Sequence, residues 1–321
     1  MLPFKNATSY LKECIDSIRI QNHIDWQLIA INDHSTDGSQ AVIETYQDDR
    51  IKVYLNEGHG ILTALQTAQK YIKGDFVTRM DADDIMPLFK LKALLEVIIS
   101  KPTGTIATGI VKYFGSNAIS NGYQAYEHWL NKTADHQSFY KRIYRECVVA
   151  SPNWMMRRLD FETMDGFNKL SYPEDYDMVF QWRKHGFDIK SCHQLTHLWR
   201  EHPGRTSRNS DNYQQESFFR LKLRYFIEEF HDKSIYLMGT EKKGILTARI
   251  LEEQKVPFRW FAQDPKLFGE IRHGVAFEDI QSLPSPGVCI VAIYPQMKER
   301  TLLKDYVSKK GYTMGDTSHF F

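Results

Sequence analysis

Cysteine is scarce in this chain, four residues in 321, and no two are neighbours: Cys14, Cys147, Cys192 and Cys289. With no C-x-x-C pair there is no sequence signal for a zinc ribbon or a thioredoxin-type redox centre. Such usage fits a reducing cytoplasm. Net charge is lacking too. Lys and Arg number 41 against 40 Asp and Glu, so no overall field draws the chain toward nucleic acid. Long apolar runs are missing: the longest, VCIVAIY at 288–294, is too short to span a bilayer. The opening MLPFKNATSY lacks the apolar centre of a signal peptide. Neither repeats nor low-complexity segments occur. What remains is an ordinary globular profile, 42% hydrophobic and 25% charged, and a soluble protein is expected. The length is too great for one comfortable core, so two domains are expected. Peripheral contact with the inner face of a membrane stays open, as does a homo-oligomer.

Hydrophobic periodicity reads the first domain as alternating helices and strands. SYLKECIDSI sets Leu11, Cys14, Ile15 and Ile18 at helical spacing, and WQLIAIND reads as a buried strand. DGSQAVIETY starts a helix, IKVYLN is a strand, GILTALQTAQKYI a helix and DFVTRM a strand. PLFKLKALLEVII follows as a helix with Pro87 near its first turn. The alternation predicts an α/β fold, a mainly parallel sheet flanked by helices, with ligands beyond the carboxyl ends of the strands. Residues 104–200 are less regular and rich in aromatics. SDNYQQESFFRLKLRYFIEEFHDK then reads as one long helix, with Phe219, Leu223, Phe226 and Phe230 on one face. Alternation restarts through KSIYLMG, KGILTARILEEQ, FRWFAQ, GVCIVAIY and ERTLLKDYVSKKG. The expected division is a first domain at 1–209, a helical linker at 210–232 and a smaller Rossmann-like α/β domain at 233–321.

The chemistry gathers at three places. MDADD, Met80 to Asp84, crowds three carboxylates after a strand, which is costly unless something positive sits among them. In an extended segment Asp81 and Asp83 point the same way and Asp84 elsewhere, so the first two could share a Mg²⁺ or Mn²⁺ ion that also meets phosphate oxygens. A solvated acidic turn is the plain alternative. Asp33, at the end of WQLIAIND, could accept a hydrogen bond from the ring N–H of a pyrimidine base, while capping accounts for Ser35 to Asp37. In SYPEDYDMVFQW, Glu174 and Asp175 fall at a helix N-terminus, where the dipole favours an ionised carboxylate able to take a proton from an acceptor hydroxyl. Simple charge complementarity with the helix is the alternative there. Among the aromatics, Trp154 in ASPNWMMRR is the candidate for stacking on an acceptor sugar.

Four segments, LPFKNATSYLKECIDSI, LIAINDHSTDGS, GDFVTRMDADDIMP and GFNKLSYPEDYDMVFQW, together resemble the family-2 glycosyltransferases, inverting enzymes of the GT-A fold. HLWREHPGRTSR resembles the short segment that follows in many members, and the likeness covers roughly residues 1–210. The resemblance implies a metal-dependent transfer of a hexosyl or N-acetylhexosaminyl group from a nucleotide-sugar, UDP-sugar first, to a hydroxyl of a glycan or lipid-linked glycan. By the same token Pro3 and Asn6 belong to a first loop framing the nucleotide, and Asp33 contacts the base. Asp81 meets ribose or metal, and Asp83 ligates the metal. Asp175 is the base, with Glu174 beside it contacting the acceptor or orienting the base. His202 approaches metal or diphosphate, and Arg205 and Arg208 hold phosphate oxygens; each of these three reads equally as solvated surface. One departure stands out: only Met1 and Leu2 precede Pro3, where family members have a full apolar strand, and a missing first strand would leave the sheet poorly paired.

In the second domain IYLMGTEKKG resembles the turn of a dinucleotide fold. Gly239 and Gly244 match the first and third glycines of G-x-G-x-x-G, but Glu241 replaces the middle one and would repel pyrophosphate. Asp264 follows at the distance of a ribose partner. The expectation is a Rossmann-like module without NAD, serving assembly, acceptor positioning or ligand sensing. Three other readings stay in view: a catalytically inactive nucleotide-sugar-binding or scaffold protein, a nucleotidyltransferase, which would need a Gly-rich basic loop where PFKNATSY stands, and an NAD-dependent oxidoreductase, against which Glu241 argues.

Overall fold

A computed structural model describes residues 1–205, 210–293 and 297–321. The chain divides into two compact units, one of residues 1–139 with 148–209, the other of 140–147 with 210–321.

In the first unit β1 (Leu2–Phe4), β2 (Leu28–Asn32) and β3 (Ile51–Leu55) pair in parallel in that order. Between them lie α1 (Thr8–Arg19) and α2 (Ser39–Glu44), and α3 (Ile61–Gln69) leads on to β4 (Phe76–Thr78). The four predicted positions of α1, Leu11, Cys14, Ile15 and Ile18, are buried in a core with Leu28 and Ala30 of β2. Each fully buried Leu or Ile contributes about 1.5–3 kcal/mol. β1 has three residues, yet the sheet is not poorly paired there. Pro3 lies opposite Ile31. On the other side Met1 donates to the Thr78 carbonyl and accepts from the Met80 N–H, both at 2.9 Å. These bonds carry the sheet from β1 into β4.

Beyond β4 come β5 (Thr105–Phe114), β6 (Trp154–Arg157) and β7 (Asp188–Arg200), in the order β4-β6-β5-β7. β6 runs antiparallel to both β4 and β5, while β5 and β7 are parallel. This side of the sheet is therefore mixed, while the remaining pairs are parallel, in keeping with a mainly parallel sheet. The regular alternation ends after α4 (Lys90–Ile99), at the start of the aromatic-rich stretch. That stretch supplies α5 (Asn121–Asp135), α6 (Arg158–Thr163) and α7 (Glu174–Lys184). The carboxyl ends of β2, β3 and β4 carry Asp33, Asn56 and the acidic run.

In the second unit α8 (Gln215–Glu229) buries Phe219, Leu223 and Phe226, three of the four predicted positions, and Phe230 is its C-cap. Tyr144 stacks on Phe321, with ring centroids 5.5 Å apart, and donates to Glu229. The sheet is ordered β10-β11-β9-β8-β12-β13, with β8 (Ile235–Met238), β9 (Phe258–Ala262), β10 (Ile271–Arg272), β11 (Val275–Asp279), β12 (Val288–Val291) and β13 (Ser318–Phe320). Only the β10-β11 pair is antiparallel among these strands. α9 (Lys242–Glu253) follows β8, and α10 (Met297–Lys309) follows β12. A Cβ on Gly244 would lie 1.9 Å from the Gly239 carbonyl oxygen, so the glycine is required for the helix to pack on the strand turn. Glu241 is the N-cap of α9 and exposed. Titrating the whole chain with micromolar NADH is expected to give no saturable fluorescence change, because a carboxylate stands where pyrophosphate has to approach. Saturable binding would overturn this. No helix among the described residues is long and apolar enough to cross a membrane, and all four cysteines are free.

Candidate active site

The acidic run is a turn, not an extension of β4: the Asp84 N–H donates to the Asp81 carbonyl at 3.2 Å. Asp81 and Asp83 therefore do not project together as an extended i, i+2 pair would. Asp81 Oδ1 takes the Arg79 guanidinium at 3.0 Å. Asp83 Oδ2 faces His202 Nε2 at 2.9 Å. Asp84 points inward, 1% exposed, and meets His197 Nε2 at 2.9 Å and the Arg200 N–H at 2.7 Å. The positive charge that such crowding demands comes from behind and beside the turn. Arg79 and Lys90 are buried, and Arg200 Nε donates to the Asp83 carbonyl at 2.6 Å. Burial brings Lys90 down to about 8, with Asp84 and Asp81 pulling the other way. Burial also pushes the Asp81 carboxyl up, against the pull of Arg79 and with the help of Asp83 and Glu174.

Asp83 and His202 fit a divalent cation. Two ligands at right angles on bonds near 2.1 Å stand about 3.0 Å apart, close to their 2.9 Å separation. A carboxylate with an imidazole suits Mn²⁺ better than Mg²⁺, which prefers oxygen alone. Tyr10 of α1 packs on the His202 ring at 4.6 Å and steadies it. Asp81 is not gathered with this pair: among the described residues the one trio of such donors within 4.8 Å is Asp33, His34 and His59.

Asp33 is buried at the end of β2 and heavily bonded. Its Oδ1 accepts from Asn56 Nδ2 at 2.7 Å, the Gly60 N–H lies 3.0 and 3.1 Å from its two oxygens, and Lys5 Nζ stands 3.4 Å from Oδ2. Burial works against its ionisation, but Asn56, Gly60 and Lys5 together hold the carboxyl below its ordinary value. Gly60 reaches it from a left-handed backbone, φ +88, at the start of α3. Asn6 also has a positive φ, +49, and its Oδ1 accepts the Thr36 N–H at 2.8 Å, tying the loop after β1 to the loop after β2.

α7 brings the carboxylates of the third segment to the same place. The Leu62 N–H, at the start of α3, donates to the Tyr172 hydroxyl at 3.3 Å, and α7 begins two residues after Tyr172. Glu174 is 1% exposed and its Oε1 meets Arg79 at 3.1 Å. Its burial argues against contact with an acceptor. Arg79 thus links Asp81 to Glu174 and ties the acidic turn to the α7 terminus. Asp175 is half-buried and accepts its neighbour Tyr176's N–H at 2.8 Å. Burial, and then the adjacent Glu174 charge, push its carboxyl up to about 7. A base poised near neutrality is the one that transfers protons best at neutral pH.

Three expectations are corrected. Pro3 is a buried residue of β1, paired with Ile31, and not part of the loop. Trp154 is 2% exposed in β6, edge-on to Trp182 at 5.8 Å, and cannot stack on an acceptor. Arg205 is neither surface nor open to a phosphate: it is buried, paired with Glu201 at 3.2 Å, and lies over Trp199, Tyr113 and Tyr123. Arg208 lies outside the described residues. Arg79, Asn56, Gly60, Tyr172 and Lys90 were missed by sequence reasoning. A lone arginine between strand and acidic run was the one available signal, for Arg79.

Residues 1–164 match the family described as Glycosyl transferase family 2. Among characterised proteins, the chain is 31% identical over 181 residues to the UDP-Glc:alpha-D-GlcNAc-diphosphoundecaprenol beta-1,3-glucosyltransferase WfgD of Escherichia coli, covering 55% of this chain and 65% of that protein. It is 28% identical over 146 residues to the glycosyltransferase GlyA of Streptococcus pneumoniae, covering 45% of this chain and 20% of that one. The chain spans less than two thirds of the length of these relatives. Among solved structures, TarS residues 1–349 of S. aureus in complex with UDP-GlcNAc superposes with a TM-score of 0.53 at 17% identity, covering 78% of this chain and 69% of that one. That likeness shows the fold, α/β of the GT-A type.

Proposed function

We propose, from the premise that this chain belongs to Glycosyl transferase family 2, that it is an inverting, metal-dependent glycosyltransferase moving a sugar from UDP-sugar to a hydroxyl of a glycan or lipid-linked glycan. The observation that carries the reading is Asp175, held at about 7 on the α7 terminus and joined through Glu174 and Arg79 to the acidic turn. The similar proteins support the substrate classes: WfgD uses UDP-Glc and a diphosphoundecaprenol-linked sugar by name, and TarS was solved with UDP-GlcNAc.

In this reading Asp33, oriented by Asn56 and Gly60, accepts the ring N–H of uracil. Asp83 and His202 hold Mn²⁺ or Mg²⁺, which when bound neutralises charge on the departing diphosphate. Asp175 takes the proton of the acceptor hydroxyl as its oxygen attacks the anomeric carbon opposite the leaving group. Arg79 and Glu174 fix the base and the acidic turn in one frame, so the proton acceptor and the diphosphate end keep a constant separation.

The test is a calorimetric titration of the chain with UDP. Binding is expected with Mn²⁺, and its loss is expected on adding chelator or in Asp83→Ala. Unchanged UDP affinity in either case would remove the metal from the account.

A further inference from the structure

We propose that Asp33, His34 and His59 form a second cation site, separate from Asp83 and His202, that takes Zn²⁺ or a metal of like preference, and that its occupation shuts out the nucleobase. One ligand atom from each of the three lies within 4.8 Å of the other two. The imidazoles stand against one another, their centroids 4.5 Å apart. His34 Nε2 faces the Gly58 carbonyl at 2.9 Å. As a donor there it keeps its lone pair on Nδ1, and a metal-bound histidine commonly gives its second N–H to such a carbonyl. His34 holds this pose at φ +56, a backbone state uncommon outside glycine. His59 is exposed and lies between Gly58 and Gly60. Ligands of a tetrahedral ion with bonds near 2.1 Å stand roughly 3.4 Å apart, so a small closure of the three side chains brings them to that spacing.

Two imidazoles and a carboxylate suit zinc and its neighbours in the series, whereas Mg²⁺ prefers oxygen alone. The ion displaces one existing contact of Asp33, the 3.4 Å approach of the half-exposed Lys5. Asn56 and the Gly60 N–H remain to aim the carboxylate. The exclusion of the base rests on the reading that Asp33 receives it; the metal site itself does not.

The test is zinc calorimetry on the whole chain, wild type against His59→Ala and His34→Asn, asparagine being tolerant of positive φ. Zinc affinity is expected to fall roughly tenfold or more in each variant. In the wild type, zinc is expected to weaken UDP binding by a similar factor, and in His59→Ala it is not. Zinc held at Asp83 and His202 would ignore both substitutions, so unchanged affinity in the variants overturns the site. Zinc binding that needs His59 yet leaves UDP affinity untouched overturns the exclusion. The role of Asp33 is judged apart from this, by UDP titration of Asp33→Asn in zinc-free buffer.

Discussion

Asp175→Asn is expected to transfer sugar about 10²–10⁴-fold more slowly than the wild type, the usual contribution of a positioned general base, with UDP affinity little changed. Asparagine keeps the shape but cannot take the proton, and the nucleotide is held elsewhere. The wild-type rate is expected to rise with pH through about 7, because below that value the carboxyl is protonated and useless as a base. This limb should vanish from the residual rate of the variant. Stability distinguishes the base from a carboxylate that merely complements its helix. A folded-state value near 7 against an ordinary one near 4 means that ionising Asp175 opposes folding; the penalty enters as pH rises from about 4 to about 7 and is full above that. The variant should therefore melt no lower than the wild type at pH 8. A carboxylate serving only the α7 terminus would lose about 0.3–1 kcal/mol of stability on replacement and little activity. Near-normal transfer by the variant would put the base on another residue.

Trp154→Ala should destabilise the first unit by about 3–5 kcal/mol, read by urea denaturation, and leave the chemistry untouched. The indole is almost wholly buried and packs edge-on to Trp182. Trp154→Phe keeps an aromatic ring in the space and should lose much less. Acceptor KM in the Phe variant is expected to equal that of the wild type. A Trp154→Ala protein of normal stability with a raised acceptor KM would restore the stacking role that the burial argues against.

The elements with strong local periodicity were legible. α1 shows Leu11, Cys14, Ile15 and Ile18 on one face in sequence and in space. Strands such as β2 announced themselves as short apolar runs between turn residues. β10, β11 and β13 did not, being two to five residues long and stabilised by pairing that no local pattern encodes. The reversal of β6 was hidden for the same reason, since direction depends on partners far away in sequence. At the site, the residue types were readable and their directions were not. Asp33 follows directly on β2 and Asp175 lies in the first turn of α7, as read, while Asp83 sits in a turn beyond the end of β4. Beside near neighbours such as Arg79 and Glu201, the turn at Asp81–Asp84 meets His202 and the inward Arg205 lies over Tyr113 and Tyr123, partners far away in sequence. Trp154 shows the limit from the opposite side: an aromatic in a strand gives no hint of which face it takes.

The chain enters the second unit twice, at 140 and again at 210. Tyr144, on the first visit, stacks on Phe321 at the far end of the sequence and bonds to Glu229. A gene truncated after codon 209 would thus leave residues 140–147 in place, with Tyr144 stripped of the ring and carboxylate it was fitted to. Removing residues 210–321 alone therefore takes away the packing to which residues 140–147 are fitted. Grafting a different tail onto this chain would call for a matching change at 140–147, so the two stretches act as one unit of design.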